Sequence, residues 1–332
     1  MTEKLRYGVV GCGHLGRIHA EKLSQLTRAE LSAVYDIIPE KTAATAGQNN
    51  CHASPSIEDL LDRVDAVSIV VPTEDHFVEA TRALNAGKHT LVEKPITRRH
   101  EDAAKLVELA QSKGLKLQVG HIERFNPAAQ ALSLLPEQPR FIEGHRLGQF
   151  SPRGLGVAVI LELMIHDIDL ILSLVKSQVK EVHASAVAVI SEMPDIANAR
   201  IEFENGTVAN LTASRISVQK MRKLRLFARD NYLSIDLNKK TGEHFVLAGL
   251  DDEKSWEGYF SALQHEPTGR KIMFKQLKYD DYDMLTREIG SFVDSVLDDN
   301  PVAVSGEDAT AALKLANQIE DIALENLGKI LQ

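Results

Sequence analysis

The first 120 residues alternate short apolar, β-branched runs with longer segments of helical period. Such alternation is typical of a parallel sheet built from βαβ units. The pattern predicts strands at 6–10, 30–35, 66–71, 89–92 and 116–119, with intervening helices that include 57–61 and 102–112. We therefore expect an α/β domain with a doubly wound parallel sheet over residues 1–121.

The pattern changes after Gly120, where Pro127, Pro136 and Pro139 interrupt the alternation and strands follow one another without helices. Strands are predicted at 182–190, 197–203, 208–214, 224–228 and 232–237, and turns at 204–207 and 229–231 join antiparallel neighbours. The polar stretch 250–270 is predicted to be irregular. Residues 122–282 are thus expected to form an α+β domain with an open, largely antiparallel sheet.

Two helices are predicted to close the chain. The second begins at Ser305-Gly306-Glu307-Asp308, where the serine side chain and a carboxylate three residues later can satisfy free backbone N–H groups. We expect these helices, at about residues 283–332, to pack back onto the first domain.

Composition narrows the possible functions. A chain of 332 residues suits about two domains, and 44% apolar with 26% charged residues is typical of a globular protein. Acidic residues outnumber basic ones by 47 to 38, which disfavours nucleic acid and anionic membranes as partners. Two cysteines, a charged opening segment and the lack of any apolar run of about 18 residues predict a soluble, cytoplasmic protein.

A glycine motif follows the first predicted strand. Gly11-Cys12-Gly13-His14-Leu15-Gly16 has the spacing G-x-G-x-x-G, which allows a tight turn, close approach of a pyrophosphate and close packing of the next helix. Asp36 ends the second strand, where a carboxylate can accept hydrogen bonds from the ribose hydroxyls of NAD. Its charge would repel a 2′-phosphate, and Ile37 and Ile38 supply no arginine. NAD is therefore predicted over NADP, with Gly11, Gly13, His14, Leu15, Gly16 and Asp36 in the cofactor site.

Two further segments leave the carboxyl ends of strands, where ligands bind in open parallel sheets. Thr73 and His76 follow one strand, and Glu93-Lys94-Pro95 follows the next. We expect Thr73, His76 and Lys94 to face the nicotinamide and assign Glu93 to the cofactor site. The alternatives are a helix cap for Thr73 and a surface position for Lys94, although Pro95 favours an extended backbone at Lys94.

The segment 160–172 is apolar nearly all round, which predicts a buried helix. On an α-helix Glu162, His166 and Asp169 form one stripe, and Asp167 points elsewhere. The stripe is either a self-satisfied structural pair or a general acid/base group for a secondary alcohol. Without a second His or Cys at ligand spacing, we expect no metal site.

The three motifs together resemble the Gfo/Idh/MocA oxidoreductase family over essentially the whole chain. The family's usual helix motif is Asp-x-Gly-x-His-x-x-Asp, and here Glu162 replaces the Asp and Met164 the Gly. The resemblance implies a dehydrogenase acting on CH–OH groups, with Lys94, His166 and Glu162 as catalytic residues. It also implies homodimers or homotetramers formed through the outer face of the second-domain sheet.

Within the family, the segment 119–127 resembles members that oxidise UDP-N-acetylglucosamine at C3. The expected reaction has His166 accept the hydroxyl proton, Lys94 polarise the oxygen and Glu162 orient the imidazole, and Lys94 and His166 could exchange roles. The substrate-binding candidates are Arg124, Asn126, Arg153 and Asp169. The basic run from Lys220 to Arg225 is interpreted as a solvated strand face. Alternatives are oxidation of a free sugar, inositol or other polyol, and a non-catalytic NAD-binding regulator.

Overall fold

A computed structural model describes residues 4–151, 156–249 and 256–330. The chain divides into two compact units. Unit 1 comprises Met1–Phe125 and Asp283–Lys314, and unit 2 comprises Asn126–Tyr282 and Leu315–Gln332. Among the helices in the described ranges, none is long and apolar enough to cross a lipid bilayer.

Unit 1 is built on a six-stranded parallel sheet. Its strands are β1 Leu5–Val10, β2 Ala29–Tyr35, β3 His52–Ala53, β4 Ala66–Ile69, β5 His89–Glu93 and β6 Leu117–Gly120. Its first five helices are α1 His14–Gln25, α2 Pro39–Asn49, α3 Ile57–Arg63, α4 Thr73–Asn85 and α5 His100–Ser112. The order β3-β2-β1-β4-β5-β6 reverses direction between β1 and β4, which confirms the predicted doubly wound sheet.

A C-terminal helix completes the core of unit 1. Helix α7, Met284–Leu297, buries Ile289 and Phe292 in the cluster that also contains Tyr7. The rings of Tyr7 and Phe292 meet edge to face with centroids 6.0 Å apart, and the Tyr7 hydroxyl hydrogen-bonds Ser68 at 3.0 Å. The helix therefore contributes aromatic packing to the sheet.

The last helix, α8, spans Gly306–Ile330. The N–H of Asp308 donates to Ser305 Oγ at 3.1 Å, which is the cap expected from the sequence. Just before it, the Val119 N–H of β6 donates to the Val304 carbonyl, so the edge of the sheet is covered. The helix belongs to unit 1 through Lys314 and to unit 2 from Leu315 onward.

Unit 2 is built on a nine-stranded sheet. The strands are β7 Phe141–Leu147, β8 Val179–Val187, β9 Ile196–Phe203, β10 Val208–Ser214, β11 Met221–Ala228, β12 Asn231–Asp236, β13 Thr241–Leu247, β14 Phe260–His265 and β15 Arg270–Lys278. Their order is β14-β15-β13-β12-β11-β7-β10-β9-β8, and only the β7–β10 pair is parallel. The predicted open, largely antiparallel sheet is confirmed.

Two details of unit 2 correct the sequence analysis. Residues 260–265 form β14, so the prediction of an irregular segment is wrong there, and 250–255 lie outside the described residues. The helix predicted over 160–172 begins with a π-helical turn, Ile160–Met164, before the α-helix α6, Ile165–Leu174.

A buried ion pair joins α6 to the sheet. Arg146 of β7 donates to both carboxylate oxygens of Asp167, at 3.0 Å from Nε and 2.7 Å from Nη2. Both side chains are almost completely buried. Removal of one partner would leave an uncompensated buried charge, which typically costs about 3–5 kcal/mol.

Glu288 on α7 makes the stability of unit 1 depend on pH. Its side chain is fully buried, and within the described part of the chain neither carboxyl oxygen has a hydrogen-bond partner. Burial, and then the nearby charge of Glu93, raise the pKa of Glu288 well above its ordinary value. The folded protein therefore binds a proton that the unfolded chain releases, and this contribution to stability is lost as pH rises.

We predict that Glu288→Gln, which mimics the protonated carboxyl group, stabilises the protein at pH 8 by about 1 kcal/mol. That change corresponds to roughly 2–4 °C in Tm for a unit of this size. The gain should shrink as pH falls, because the unfolded chain also begins to hold the Glu288 proton as pH approaches the ordinary glutamate pKa of about 4.3. Thermal melts of both proteins between pH 5 and pH 8 check this, and a Tm difference that does not grow with pH would contradict it.

Candidate active site

The glycine motif forms a backbone turn that leaves no space for side chains at two positions. A Cβ atom on Gly11, whose φ is +99°, would lie 2.2 Å from the Val70 carbonyl oxygen. A Cβ atom on Gly16 would lie 1.8 Å from the Gly11 carbonyl oxygen. At Gly13, by contrast, a Cβ atom would meet nothing within 4 Å. Gly11 and Gly16 therefore set the backbone, and Gly13 faces open space at the start of α1.

That open space belongs to a cavity of about 460 Å³, within the size range of small-molecule sites. The predicted cofactor residues that line it are Gly11, Gly13, His14, Leu15 and Asp36. Pro72, from the segment after β4, lines it too. The cavity thus lies where the strand order reverses, at the positive N-terminus of α1, and its residues fit a dinucleotide.

Asp36 is oriented by two backbone groups. Its Oδ2 accepts the Cys12 N–H at 2.7 Å, and its Oδ1 accepts the Ile38 N–H at 2.9 Å. Each carboxylate oxygen retains a second lone pair, so the group can still accept hydrogen bonds from a ribose diol. Burial raises the pKa of the Cys12 thiol to about 11, so Cys12 stays a neutral filler, as the sequence indicated.

Lys41 also lines this cavity, and the sequence analysis did not identify it. It lies in the first half of α2, five residues after Asp36, and its side chain is exposed. Ile37 and Ile38, directly after Asp36, supply no cation. The sequence signal for Lys41 is a basic residue in the helix that follows the acidic residue.

His76 links the two segments that leave β4 and β5. Its Nδ1 lies 2.8 Å from the Pro95 carbonyl oxygen, and its Nε2 lies 3.0 Å from that of Val71. The ring is almost fully buried, and burial lowers the pKa of His76 although both carbonyl groups oppose the shift. Its imidazole thus contacts backbone. Pro72 occupies the N-cap of α4, so the interpretation of Thr73 as the cap is wrong.

Glu93 is anchored beneath Lys94 by a buried histidine. Glu93 Oε1 lies 3.0 Å from Nε2 of His19, and Oε2 accepts the Lys94 N–H at 3.2 Å. Burial opposes ionisation, but the His19 contact and the charge of Lys94 hold the pKa of Glu93 below its usual range. Gly120 on β6 leaves room for this carboxylate, since a Cβ there would lie 3.0 Å from it.

Lys94 is half-buried and is joined to Pro95 by a cis peptide bond. The Lys94 backbone N–H donates to the Glu93 side chain, which fixes the backbone of Lys94 at the end of β5. Arg124, in the short 3₁₀ helix Ile122–Phe125, is also half-buried. Arg153 lies outside the described residues.

Asn126 has a structural position in unit 2. Its Oδ1 accepts the Ala128 N–H at 3.0 Å and caps the 3₁₀ helix Pro127–Leu134. Its Nδ2 donates to the Leu237 carbonyl oxygen at 2.9 Å. Both polar atoms of the side chain therefore bond to backbone groups within this unit.

The π turn changes the geometry of the predicted polar stripe. The N–H of Ile165 reaches the Ile160 carbonyl oxygen, five residues back, and this wider turn contains Glu162. The predicted stripe assumed a uniform α-helix, whereas Glu162 lies in the π turn and His166 and Asp169 lie three residues apart on α6. Asp169 is buried, and Glu162 and His166 are half-buried.

Glu162 is bound by an arginine that the sequence analysis missed. Nη1 of Arg215 donates to Glu162 Oε2 at 3.0 Å. Arg215 directly follows β10, and its side chain is only 4% exposed. The available signal was a single arginine at the end of an apolar strand. The predicted basic run behaves as expected of a solvated strand face, since Lys223 is exposed and Arg225 pairs with Glu143.

Among the residues that the structure describes, no three His, Cys, Asp or Glu side chains are grouped so that they could hold a metal ion. The candidate chemistry in unit 1 is therefore a nucleotide cavity with Lys94 at a strand end. In unit 2 it is a His–Asp pair on α6 and an arginine-bound glutamate on a π turn.

Comparisons with known proteins agree with both units. The model of the Gfo/Idh/MocA oxidoreductase family with an NAD-binding Rossmann fold matches residues 5–121. The model of the Gfo/Idh/MocA C-terminal domain matches residues 137–234.

Individual relatives point to sugar dehydrogenases. A UDP-N-acetylglucosamine 3-dehydrogenase of Acidithiobacillus ferrooxidans is 44% identical over 238 residues, which cover 71% of this chain and 75% of that one. A solved structure of the enzyme of that name and organism aligns with a TM-score of 0.86 and 36% identity, over 96% of this chain and 98% of that one. An inositol 2-dehydrogenase of Rhizobium meliloti is 25% identical, with 94% of this chain and 95% of the relative covered.

We predict that alanine affects cofactor binding at one glycine of the motif and stability at another. Gly13→Ala should leave Tm unchanged but weaken NAD binding by roughly tenfold, about 1.4 kcal/mol, because the methyl group enters the open space at the cofactor's phosphates. Gly16→Ala should destabilise the protein by about 1–3 kcal/mol, because its Cβ overlaps the Gly11 carbonyl. Thermal melts and NAD titration calorimetry measure both. Equal loss of stability in the two variants would contradict the assignment.

Proposed function

Because the chain belongs to the Gfo/Idh/MocA family of oxidoreductases with an NAD-binding Rossmann fold, we propose that it oxidises a UDP-N-acetylhexosamine at C3. The protein is an NAD-dependent oxidoreductase that acts on CH–OH groups. The observation that carries the proposal is the position of Lys94. Lys94 follows β5 directly and its backbone N–H is bonded to Glu93, and His76 joins the segment after β4, at Val71, to Pro95.

The proposed chemistry assigns one role to each residue. NAD, when bound, supplies the ring that accepts a hydride with its two electrons from C3 of the sugar. His166 accepts the proton of the C3 hydroxyl, so that a ketone forms with no other bond broken. Lys94 donates a hydrogen bond to the oxygen on which negative charge develops, and Glu162 orients the imidazole. Lys94 and His166 remain exchangeable as proton acceptor.

The substrate assignment is supported by the relatives and by charge. The A. ferrooxidans relative carries a name that specifies UDP-N-acetylglucosamine and C3. A diphosphate needs cations, and we assign this role to Arg124 and Arg153, with Asp169 as an acceptor for a sugar hydroxyl. The inositol 2-dehydrogenase relative supports the alternative, oxidation of a free polyol, which would not need these arginines.

We also propose a homodimer or homotetramer formed through the outer face of the unit 2 sheet. Six aromatic side chains are paired across neighbouring strands there, with ring centroids 4.7–6.3 Å apart: Phe141, Phe227, Tyr232, Phe245, Phe274 and Phe260. Phe260 is 62% exposed. A second copy would bury this row. A cytoplasmic location is likewise a proposal, supported by the two cysteines being unpaired.

The direct test is NADH formation by the purified protein with NAD and UDP-N-acetylglucosamine, beside free N-acetylglucosamine and myo-inositol. A coupled aminotransferase that consumes the keto sugar keeps an unfavourable equilibrium from hiding turnover. We expect turnover with the nucleotide sugar alone. Turnover only with a free polyol would move the substrate to the alternative. No hydride exchange with any alcohol would contradict the enzymatic role.

We predict that Lys94→Met lowers kcat by roughly 10²–10⁴-fold, because the oxygen loses its charged donor while the nucleotide cavity is unchanged. Lys105→Met is the matched control, since Lys105 is exposed on α5, where its amine pairs with Asp102 at 2.7 Å and lies 5.6 Å from the centre of the Phe77 ring. Steady-state kinetics and NAD titration should give intact NAD affinity in both variants. Full activity of Lys94→Met would remove Lys94 from the mechanism.

We predict that Phe245→Glu converts the oligomer to monomers, because it places a charge in the middle of the aromatic row. Lys180→Glu on β8 is a control outside the row, at an exposed position. Light scattering measures the mass of each variant. An unchanged oligomer in Phe245→Glu would place the interface elsewhere.

A further inference from the structure

Glu162 and Arg215 form an ion pair inside unit 2. Arg215 donates from Nη1 to Glu162 Oε2 at 3.0 Å, and the same nitrogen donates to the Val157 carbonyl oxygen at 2.7 Å. Arg215 thus binds both the Glu162 side chain in the π turn and the Val157 backbone just before that turn. The Glu162 side chain is 29% exposed, whereas that of Arg215 is 4% exposed. The glutamate faces outward and the arginine supports it from within.

A second carboxylate fixes the arginine. Asp195 accepts Arg215 Nε at 2.8 Å, and Nη2 donates to Ser191 Oγ at 3.0 Å. The backbones of Arg215 and Asp195 are also joined, since the Arg215 N–H donates to the Asp195 carbonyl oxygen at 3.0 Å. Three sides of the guanidinium are therefore held, and its orientation toward Glu162 is set before any ligand binds.

Asp195 is in turn held by its own loop. Its Oδ2 accepts the N–H groups of Val189, Ile190 and Ser191 at 2.7–3.1 Å. Burial opposes ionisation, yet these backbone donors and Arg215 keep the pKa of Asp195 below its usual range. The loop between β8 and β9, residues 188–195, is thus folded around the carboxylate of Asp195, which binds Arg215. We call it the Asp195 loop.

The π turn that carries Glu162 is itself held by the loop between β8 and β9. A π turn widens the helix by one residue, and such turns occur frequently at functional sites. The Val159 N–H, at the start of this turn, donates to the Pro194 carbonyl oxygen at 3.0 Å, next to Asp195. The loop therefore holds both the backbone of the turn and, through Arg215, its carboxylate.

We propose that Arg215 is a positioning residue for hydroxyl oxidation. The Asp195 loop holds Arg215 so that its guanidinium fixes the carboxylate of Glu162. This inference rests on the proposed function, because it gives Glu162 its place in the reaction. Arg215 itself does not touch the reacting atoms. It acts by limiting the rotamers of Glu162, since a carboxylate bound at one oxygen cannot turn freely.

A double-mutant cycle on kcat tests the coupling. Arg215→Lys keeps the charge but loses the planar fork that reaches Glu162, Asp195, Ser191 and Val157 together. We expect it to lower kcat by about 10- to 100-fold, with the KM for NAD unchanged. In a Glu162→Gln background the same change should lower kcat less than about threefold, because the group that it positions is already impaired. An equal loss of kcat in both backgrounds overturns the proposal.

Two further variants separate positioning from general damage. Arg200→Lys is the matched control, since Arg200 lies on the exposed surface of β9 and pairs with Glu202 at 3.0 Å; its kcat should equal that of the wild type. Ser191→Ala removes one support of Arg215 from a partly exposed loop, so it should fold even if Arg215→Lys does not. We expect a two- to tenfold loss of kcat for Ser191→Ala, and unchanged kcat overturns the proposal.

Crystal structures of Ser191→Ala, Arg215→Lys and Arg200→Lys give a readout that does not depend on turnover. The Glu162 carboxylate should shift by about 1 Å or more in Arg215→Lys, with α6 in place, and not in Arg200→Lys. An unmoved Glu162 overturns the proposal. If the protein oxidises no sugar but Glu162 moves as expected, then the positioning role stands and the proposed function is what fails.

Discussion

Three backbone segments of unit 1 meet at the end of β1 with no room for a Cβ atom. Gly11 lies against the Val70 carbonyl, and Gly16 lies against the Gly11 carbonyl. This close approach brings the N-terminus of α1 to the ends of β1 and β4, where the strand order reverses. The cofactor cavity, the fixed carboxylate of Asp36 and the strand ends that carry Thr73 and Lys94 all depend on that turn. A larger residue at Gly11 or Gly16 would separate them.

The candidate catalytic groups share one mode of support, a charged or polar group buried behind them. His19 holds Glu93 below Lys94. Arg215 holds Glu162, and Arg146 fixes the helix of His166 through Asp167. Hydrogen bonds to charged groups contribute about 1.5–3 kcal/mol each, roughly twice as much as neutral ones, and they fix direction as well as distance. Each unit therefore prepares its reactive groups separately, before a substrate is bound.

The sequence was sufficient for the Rossmann unit, because its glycine motif, its apolar strands and Asp36 are local signals. It failed where a structure depends on residues far apart in the chain. Strand β7 pairs with β10 and β11 and carries polar residues on its outer side, so its alternation was not recognised. The π turn is hydrogen-bonded to the loop that contains Asp195, and Arg215 binds Glu162, a partner 53 residues away. The cap that Asn126 provides to the helix Pro127–Leu134 was also not predicted.

In the proposed reaction, hydride leaves C3 of a nucleotide sugar for NAD. The most direct test uses UDP-N-acetylglucosamine with deuterium at C3 and follows the label by NMR. We expect deuterium to appear on the nicotinamide of the reduced cofactor and the sugar product to be a ketone without the label. Reduced cofactor without deuterium, together with a product that keeps the label at C3, would place the oxidation at another carbon and contradict the account.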